Sequence, residues 1–276
     1  MAFKGKKQQG VALIMVLMMA AIMAVVMIYM TGKGQNKARL AALVKNNNNA
    51  MLAIESAQAE LVFSFTTSQF SILGPNKTYQ GQASENKFTD NFTGQINKQE
   101  NYTVQVQDIS GLVSLMPFNE RDFKQLLVKN GVSNDRQLAI LDRLIDWQDK
   151  DSLTHLSGAE RGDYELPFLP SNSVLQSKRE LAYILDDTQL YERIAPYLSF
   201  YGQEYLVPYY VPNSLHALFS TTQPTAQQGA EASPYPSGRY LVDIKAEQVS
   251  LRKRFTILRG QDSFRPFFIV DEMILQ

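Results

Sequence analysis

Residues 11–30, VALIMVLMMAAIMAVVMIYM, form an unbroken apolar run without a charged side chain. A helix rises about 1.5 Å per residue, so this run reaches roughly 30 Å, one bilayer hydrocarbon core. Apolar positions continue at three- and four-residue steps or their sums, at Leu40, Leu43, Met51, Ile54, Leu61 and Val62. Alanines at 38, 41, 42, 50, 53, 57 and 59 add helix propensity. The spacing predicts one long helix over 11–65, transmembrane over 11–31 and packed on a domain further along. The Asn46–Asn49 run competes for backbone hydrogen bonds, so a kink or fraying is expected there.

The pattern then changes period. Residues 66–100 are polar, with turn signals at Gly74-Pro75-Asn76 and Gly81, and are expected as loop with one short strand at most. Tyr102, Val104 and Val106 alternate with polar neighbours, as a half-buried strand does. Helical signals follow. Asn119 can cap 120–129, with Gly131 as the stop. Ser133 or Asn134 can cap a helix through Trp147 whose apolar line is Leu138, Leu141, Leu144 and Ile145. Ser177-Lys178-Arg179-Glu180 reads as a capping box ahead of Leu181, Ile184 and Leu185. Asp187 and Asn213-Ser214 start two further short helices. Residues 221–238, rich in Pro, Ala, Gln, Ser and Thr, read as a flexible loop. Alternation returns at Tyr240, Val242, Ile244 and Ala246, then at Phe255 and Ile257, and a more apolar strand at 267–275 ends the pattern. The economical topology is α+β: a long helix, strands over 66–110 and 239–276, and a helical block inserted over 111–220.

Composition narrows the chemistry. The 276 residues hold 27 Lys+Arg, 27 Asp+Glu, two histidines and no cysteine. Disulfides, thiolate catalysis and Cys-type zinc or iron–sulfur sites are thereby excluded. Zero net charge gives no support to a nucleic-acid partner, which needs a basic stripe. The short basic runs Lys178-Arg179 and Arg252–Arg254 read as a solvated strand face.

The strongest chemical signal is 142–165, DRLIDWQDKDSLTHLSGAERGDYE, with seven acidic residues against three basic ones, a local charge of −4. Asp142, Asp146 and Asp149 share one helix face, while Asp151, Glu160 and Asp163 fall in a Gly-containing loop. Converging carboxylates repel unless a cation neutralises them, and hard oxygen ligands from a flexible loop suit Ca²⁺. The spacing is not that of an EF-hand. Composition alone favours a solvated acidic loop, and a carboxylate-pair hydrolase is a further reading. His155 lies beside this loop, where it could sense pH or add a ligand, and a surface residue is the favoured reading.

The leader carries a resemblance. Lys4, Lys6 and Lys7 precede the apolar run, and Gln8-Gln9-Gly10 leads into Val11-Ala12-Leu13-Ile14. A secretory signal would have a shorter apolar stretch and a small-residue cleavage site, so a retained span is favoured. Lys33, Lys37 and Arg39 on the far side leave the charge rule for orientation in a tie. The stretch resembles the prepilin-type leader. The resemblance implies that prepilin peptidase cuts the 1–10 leader between Gly10 and Val11 and that the new terminus is methylated. It places the leader in the cytoplasm and the remaining chain in the periplasm, on a single-pass inner-membrane anchor.

The family's usual glutamate at the fifth mature position is absent, and Met15 stands there. A carboxylate in hydrocarbon costs a few kcal/mol without a partner. A plain signal anchor and a subunit that needs no such pairing both fit Met15. Residues 144–151, LIDWQDKD, followed by Ser157-Gly158-Ala159-Glu160, Asp163-Tyr164 and Pro167, are similar to a stretch of the K-type minor pseudopilins of type II secretion. Leu169–Asn172 and the Ser177–Leu181 box continue the likeness.

That resemblance implies a pilin-like fold with an inserted helical domain and calcium in the insertion. It carries Asp146, Asp149, Asp151, Glu160 and Asp163 over as ligand candidates. It also implies I-type and J-type minor pseudopilins and the inner-membrane secretion platform as partners, with Met15, Val16 and Leu17 in the assembly helix. The function implied is tip placement and initiation of the pseudopilus, with no enzymatic step. Residues 111–118 lack an expected asparagine-rich turn, and 205–222 lack the usual helix start. A minor pilin of a type IV pilus is the neighbouring alternative, and a membrane-anchored periplasmic hydrolase the more distant one.

Overall fold

In a computed structural model, residues 9–74, 87–89, 91–219, 234–247, 249–262 and 265–275 are described. Most of the 1–10 leader, Asn76 and most of the 221–238 loop lie outside these residues.

Helix α1 spans Gln9–Thr67. It runs through Asn46–Asn49 without a break, which corrects the expected kink. The four asparagines are exposed, so their amides face solvent and leave the backbone ladder intact. Two compact units divide the chain at Leu52. Within the second unit, Ile54, Ala57, Leu61 and Phe65 are buried at helical spacing. Phe65 meets Tyr240 edge-on at 5.0 Å and Phe92 at 5.9 Å. A one-turn helix, α2 (Phe70–Leu73), follows.

The strands are β1 (Thr93–Lys98), β2 (Tyr102–Asp108), β3 (Val113–Ser114), β4 (Leu198–Ser199), β5 (Arg239–Ala246), β6 (Arg252–Asp262) and β7 (Arg265–Leu275). Five form one antiparallel sheet in the order β1-β2-β5-β6-β7. Tyr240, Val242, Ile244 and Ala246 are all buried, so the period-2 pattern marks the core face. Each such large apolar side chain contributes about 1.5–3 kcal/mol on full burial.

The helical block stands between β2 and β5: α3 (Glu120–Lys129), α4 (Asn134–Gln148), α5 (Glu180–Leu185), α6 (Thr188–Ile194) and α7 (Asn213–Phe219). Asn119 caps α3 by accepting from Asp122 N at 3.1 Å, and Asp187 caps α6 by accepting from Leu190 N at 2.9 Å. Its core gathers Phe123, Leu144, Trp147, Leu181, Ile184 and Ile194. The base is closed by the parallel pair β3–β4. At the neck, the backbone of Tyr210 runs so close to Gly111 that a Cβ there would lie 2.0 Å from the Tyr210 carbonyl.

Three expectations change. On α4, Leu138 and Ile145 are exposed, while Gln137, Ile140 and Trp147 join Leu141 and Leu144 on the buried side. Gln137 is tolerated there because its amide donates to Val132 O at 2.8 Å. The Ser177–Glu180 box is looser than expected: α5 begins at Glu180, and the Glu180 carboxylate accepts from Gln176 N and from Trp147 Nε1. Lys253 is not solvated. It is 2 % exposed, clasped by Glu55 of α1 at 2.7 Å and Glu272 of β7 at 2.6 Å. Two carboxylates converging on one ammonium repay its desolvation.

Candidate functional site

Among the described residues, one helix is long and apolar enough to cross a bilayer, with an 18-residue window of mean hydropathy 2.7. Met15, Val16 and Leu17 are exposed on it. Gly10 and Val11 lie in its first turn.

The acidic loop leaves the C-terminus of α4. Trp147 is fully buried there, stacked on Tyr183 and edge-on to Tyr164, with its Nε1 donating to Glu180 Oε2 at 2.9 Å. An aromatic so occupied anchors the helix end and offers no sugar platform. Burial pushes the Tyr164 hydroxyl up to about 12.

In the last turn of α4, Asp146 is fully buried. The loop folds back over it: Ala159 N donates to Oδ2 at 2.8 Å, and His155 N reaches both oxygens at 3.3 Å. The His155 ring meets Oδ1 through Nδ1. That hydrogen bond, with the charges of Asp146, Asp142 and Asp149 around it, holds the imidazole pKa above its ordinary value. Gly158 makes the fold-back possible, because a Cβ there would fall 1.7 Å from Asp146 Oδ2.

Ligand atoms of Asp146, Asp149 and His155 lie within 4.8 Å of one another. Asp149 Oδ1 and Glu160 Oε1 are buried without a hydrogen-bond partner. Desolvation raises the Glu160 carboxyl, and Asp146, Asp149 and Asp151 push the same way. Buried carboxylate oxygens left unbonded cost about 1–3 kcal/mol or more each, so this cluster is short of positive charge or protons.

The other two candidates are used locally. Asp151 Oδ1 accepts from Leu153 N at 2.9 Å, and Asp163 Oδ2 accepts from Glu160 N at 2.8 Å; both residues are exposed. The structure thus brings together Asp146, Asp149 and His155, while Glu160, with its orphaned oxygen, feels the charges of Asp146 and Asp149. His155 is exposed, as its surface reading has it, and still meets the buried Asp146. Its nine-residue offset from Asp146 becomes a contact only through the glycine turn at 158.

A family model described as type II secretion system (T2SS), protein K, matches residues 103–203. Type II secretion system protein K of Klebsiella pneumoniae is 29% identical over 223 residues, covering 72% of this chain and 65% of the relative. The Aeromonas hydrophila protein of the same name is 26% identical over 211 residues, covering 70% and 63%. The Dickeya chrysanthemi protein is 33% identical over 89 residues, covering 32% and 25%. The match therefore spans somewhat less than two thirds of the Klebsiella and Aeromonas relatives' length and a quarter of the Dickeya one. A chain of the GspK-GspI-GspJ complex from enterotoxigenic Escherichia coli superposes with a TM-score of 0.58 at 14% identity, covering 84% of this chain and 98% of that one. The fold is accordingly pilin-like: a long N-terminal helix and an antiparallel sheet, with helices inserted between β2 and β5.

Proposed function

We propose that the chain is a minor pseudopilin of type II secretion, on the footing that residues 103–203 match the family model for type II secretion system protein K. The observation that carries the proposal is where the match falls: it begins in β2 and covers α3 to α6 with the acidic loop between them. The first helix anchors the subunit in the inner membrane, and residues 53–275 stand in the periplasm. The subunit acts by assembly, not catalysis. It joins I-type and J-type companions, as the solved relative does with GspI and GspJ, and sits at the tip of the filament whose growth exports folded proteins. The inner-membrane secretion platform holds it during assembly. The apolar Met15–Leu17 turn supports packing among neighbouring helices, since no buried carboxylate there demands a partner.

We also propose that Ca²⁺ binds the acidic loop. Asp146, Asp149 and Glu160 would supply oxygens, and two orphaned buried oxygens support that reading. A bound cation supplies the missing positive charge. Gly158 and Ala159 hold the loop against Asp146, and His155 competes for the same carboxylate, since Ca²⁺ prefers oxygen to imidazole.

Mass spectrometry of the mature N-terminus tests the pilin-class assignment. The expected terminus is methylated Val11. An intact Met1 in the assembled protein would overturn it.

A further inference from the structure

The two edges of the sheet differ. β1 has six residues, a register shift between Thr93 and Ile96, and a lysine at its end. Short, irregular, charged edges resist further pairing. β7 has eleven residues, and Phe268, Ile269, Met273 and Ile274 are 37–48 % exposed along it. Among the described residues no strand pairs with its outer side. A row of unpaired amides and carbonyls flanked by apolar side chains on both faces is a template for an added strand. Asp271 interrupts the strand at φ 52, where the ladder with β6 shifts register. Bulges at edges re-aim side chains and recur beside functional surfaces.

Behind β7 lies a cleft of about 520 Å³, between residues 176–200 of the insertion and strands β6 and β7. Its walls include Lys178, Arg179, Phe200, Thr256, Asp271 and Met273. Two of the charges around it are matched: Arg254 to Asp243 at 2.9 Å, and Glu272 to Lys253 at 2.6 Å. Lys178 is different. Its ammonium donates to the Leu198 carbonyl at 3.2 Å, and no described carboxylate is in ion-pair contact with it. Burial holds its pKa below the ordinary value, with Arg254 pushing the same way and Asp271 opposing from beyond contact. An ammonium placed there without a counter-ion favours an incoming carboxylate.

We infer that β7 and the cleft behind it take an extended segment of a companion minor pseudopilin, which pairs with the free edge and seats an acidic side chain on Lys178. The inference rests on the proposed function, because it draws the occupant from the same assembly. The required chemistry is a strand of alternating apolar residues carrying one Asp or Glu that points into the cleft.

The test uses the full chain in detergent with its I-type and J-type companions. Hydrogen exchange of the wild-type complex is expected to slow the amides of 267–275 about tenfold or more relative to the free chain. Lys178→Glu and Met273→Glu are each expected to weaken assembly by about tenfold or more, while Lys178→Arg and Ile96→Glu on the opposite edge leave it unchanged. A complex that forms with 267–275 unprotected, or that binds both Glu variants at wild-type affinity, overturns the inference and leaves the proposed function standing. Failure of the wild-type chain to bind either companion overturns both.

Discussion

Asp108 and Ser237 are 129 positions apart and share two hydrogen bonds: Ser237 N donates to Oδ2 at 2.7 Å, and Ser237 Oγ donates to Oδ1 at 2.6 Å. Ser110 adds two more, from its N at 2.8 Å and its Oγ at 2.7 Å. Ser110 opens the insertion and Ser237 precedes the strand that follows it, so one buried carboxylate ties both ends of the neck.

Asp108→Ala leaves two backbone N–H groups without their acceptor, at about 1–3 kcal/mol each. A loss of about 3 kcal/mol in urea unfolding is expected. A loss below about 0.5 kcal/mol would show that the neck holds without this clasp.

The same carboxyl predicts a pH dependence. Burial raises its pKa above the ordinary 3.8, and the bonds from Ser237 and Ser110 only partly oppose the shift. A raised folded-state value means the group's contribution is fully present below the unfolded value and is lost as pH rises through the folded value. The stability of wild type minus that of Asp108→Asn should therefore grow as pH falls towards 3.8 and level off below it. A difference independent of pH would contradict the assignment.

Gly158→Ala should displace the 155–159 loop from Asp146, since the new Cβ lands 1.7 Å from Oδ2. Overpacking of this kind costs about 1–3 kcal/mol. The melting temperature should fall, and any stabilisation by calcium should shrink with it. Wild-type melting would mean that the loop does not rest on Asp146.

Calcium in hundredfold excess over its dissociation constant should stabilise the chain by about 2.7 kcal/mol. Asp146→Asn and Asp149→Asn should each remove that increment. Equal melting temperatures with calcium and with chelator would sink the site.

Much of this architecture was legible because local rules and burial agree. Tyr240, Val242, Ile244 and Ala246 point to one face by strand geometry alone, and that face is the core. Asn119 and Asp187 cap the helices they precede. Legibility stops where a partner is distant. Lys253 sits in a basic run, yet its clasp comes from Glu55, 198 residues earlier. On α4 the buried side takes in Gln137, which apolar spacing leaves out, because its amide donates to Val132 O. In the acidic loop, composition marked the region, but His155 and the orphaned oxygens of Asp149 and Glu160 depend on the turn at Gly158.

Deleting the gene in the bacterium that carries it, then comparing secreted with periplasmic protein, tests the central claim most directly. The account predicts that type II substrates accumulate folded in the periplasm and that a wild-type copy restores their export. Undiminished secretion in the deletion strain would contradict it.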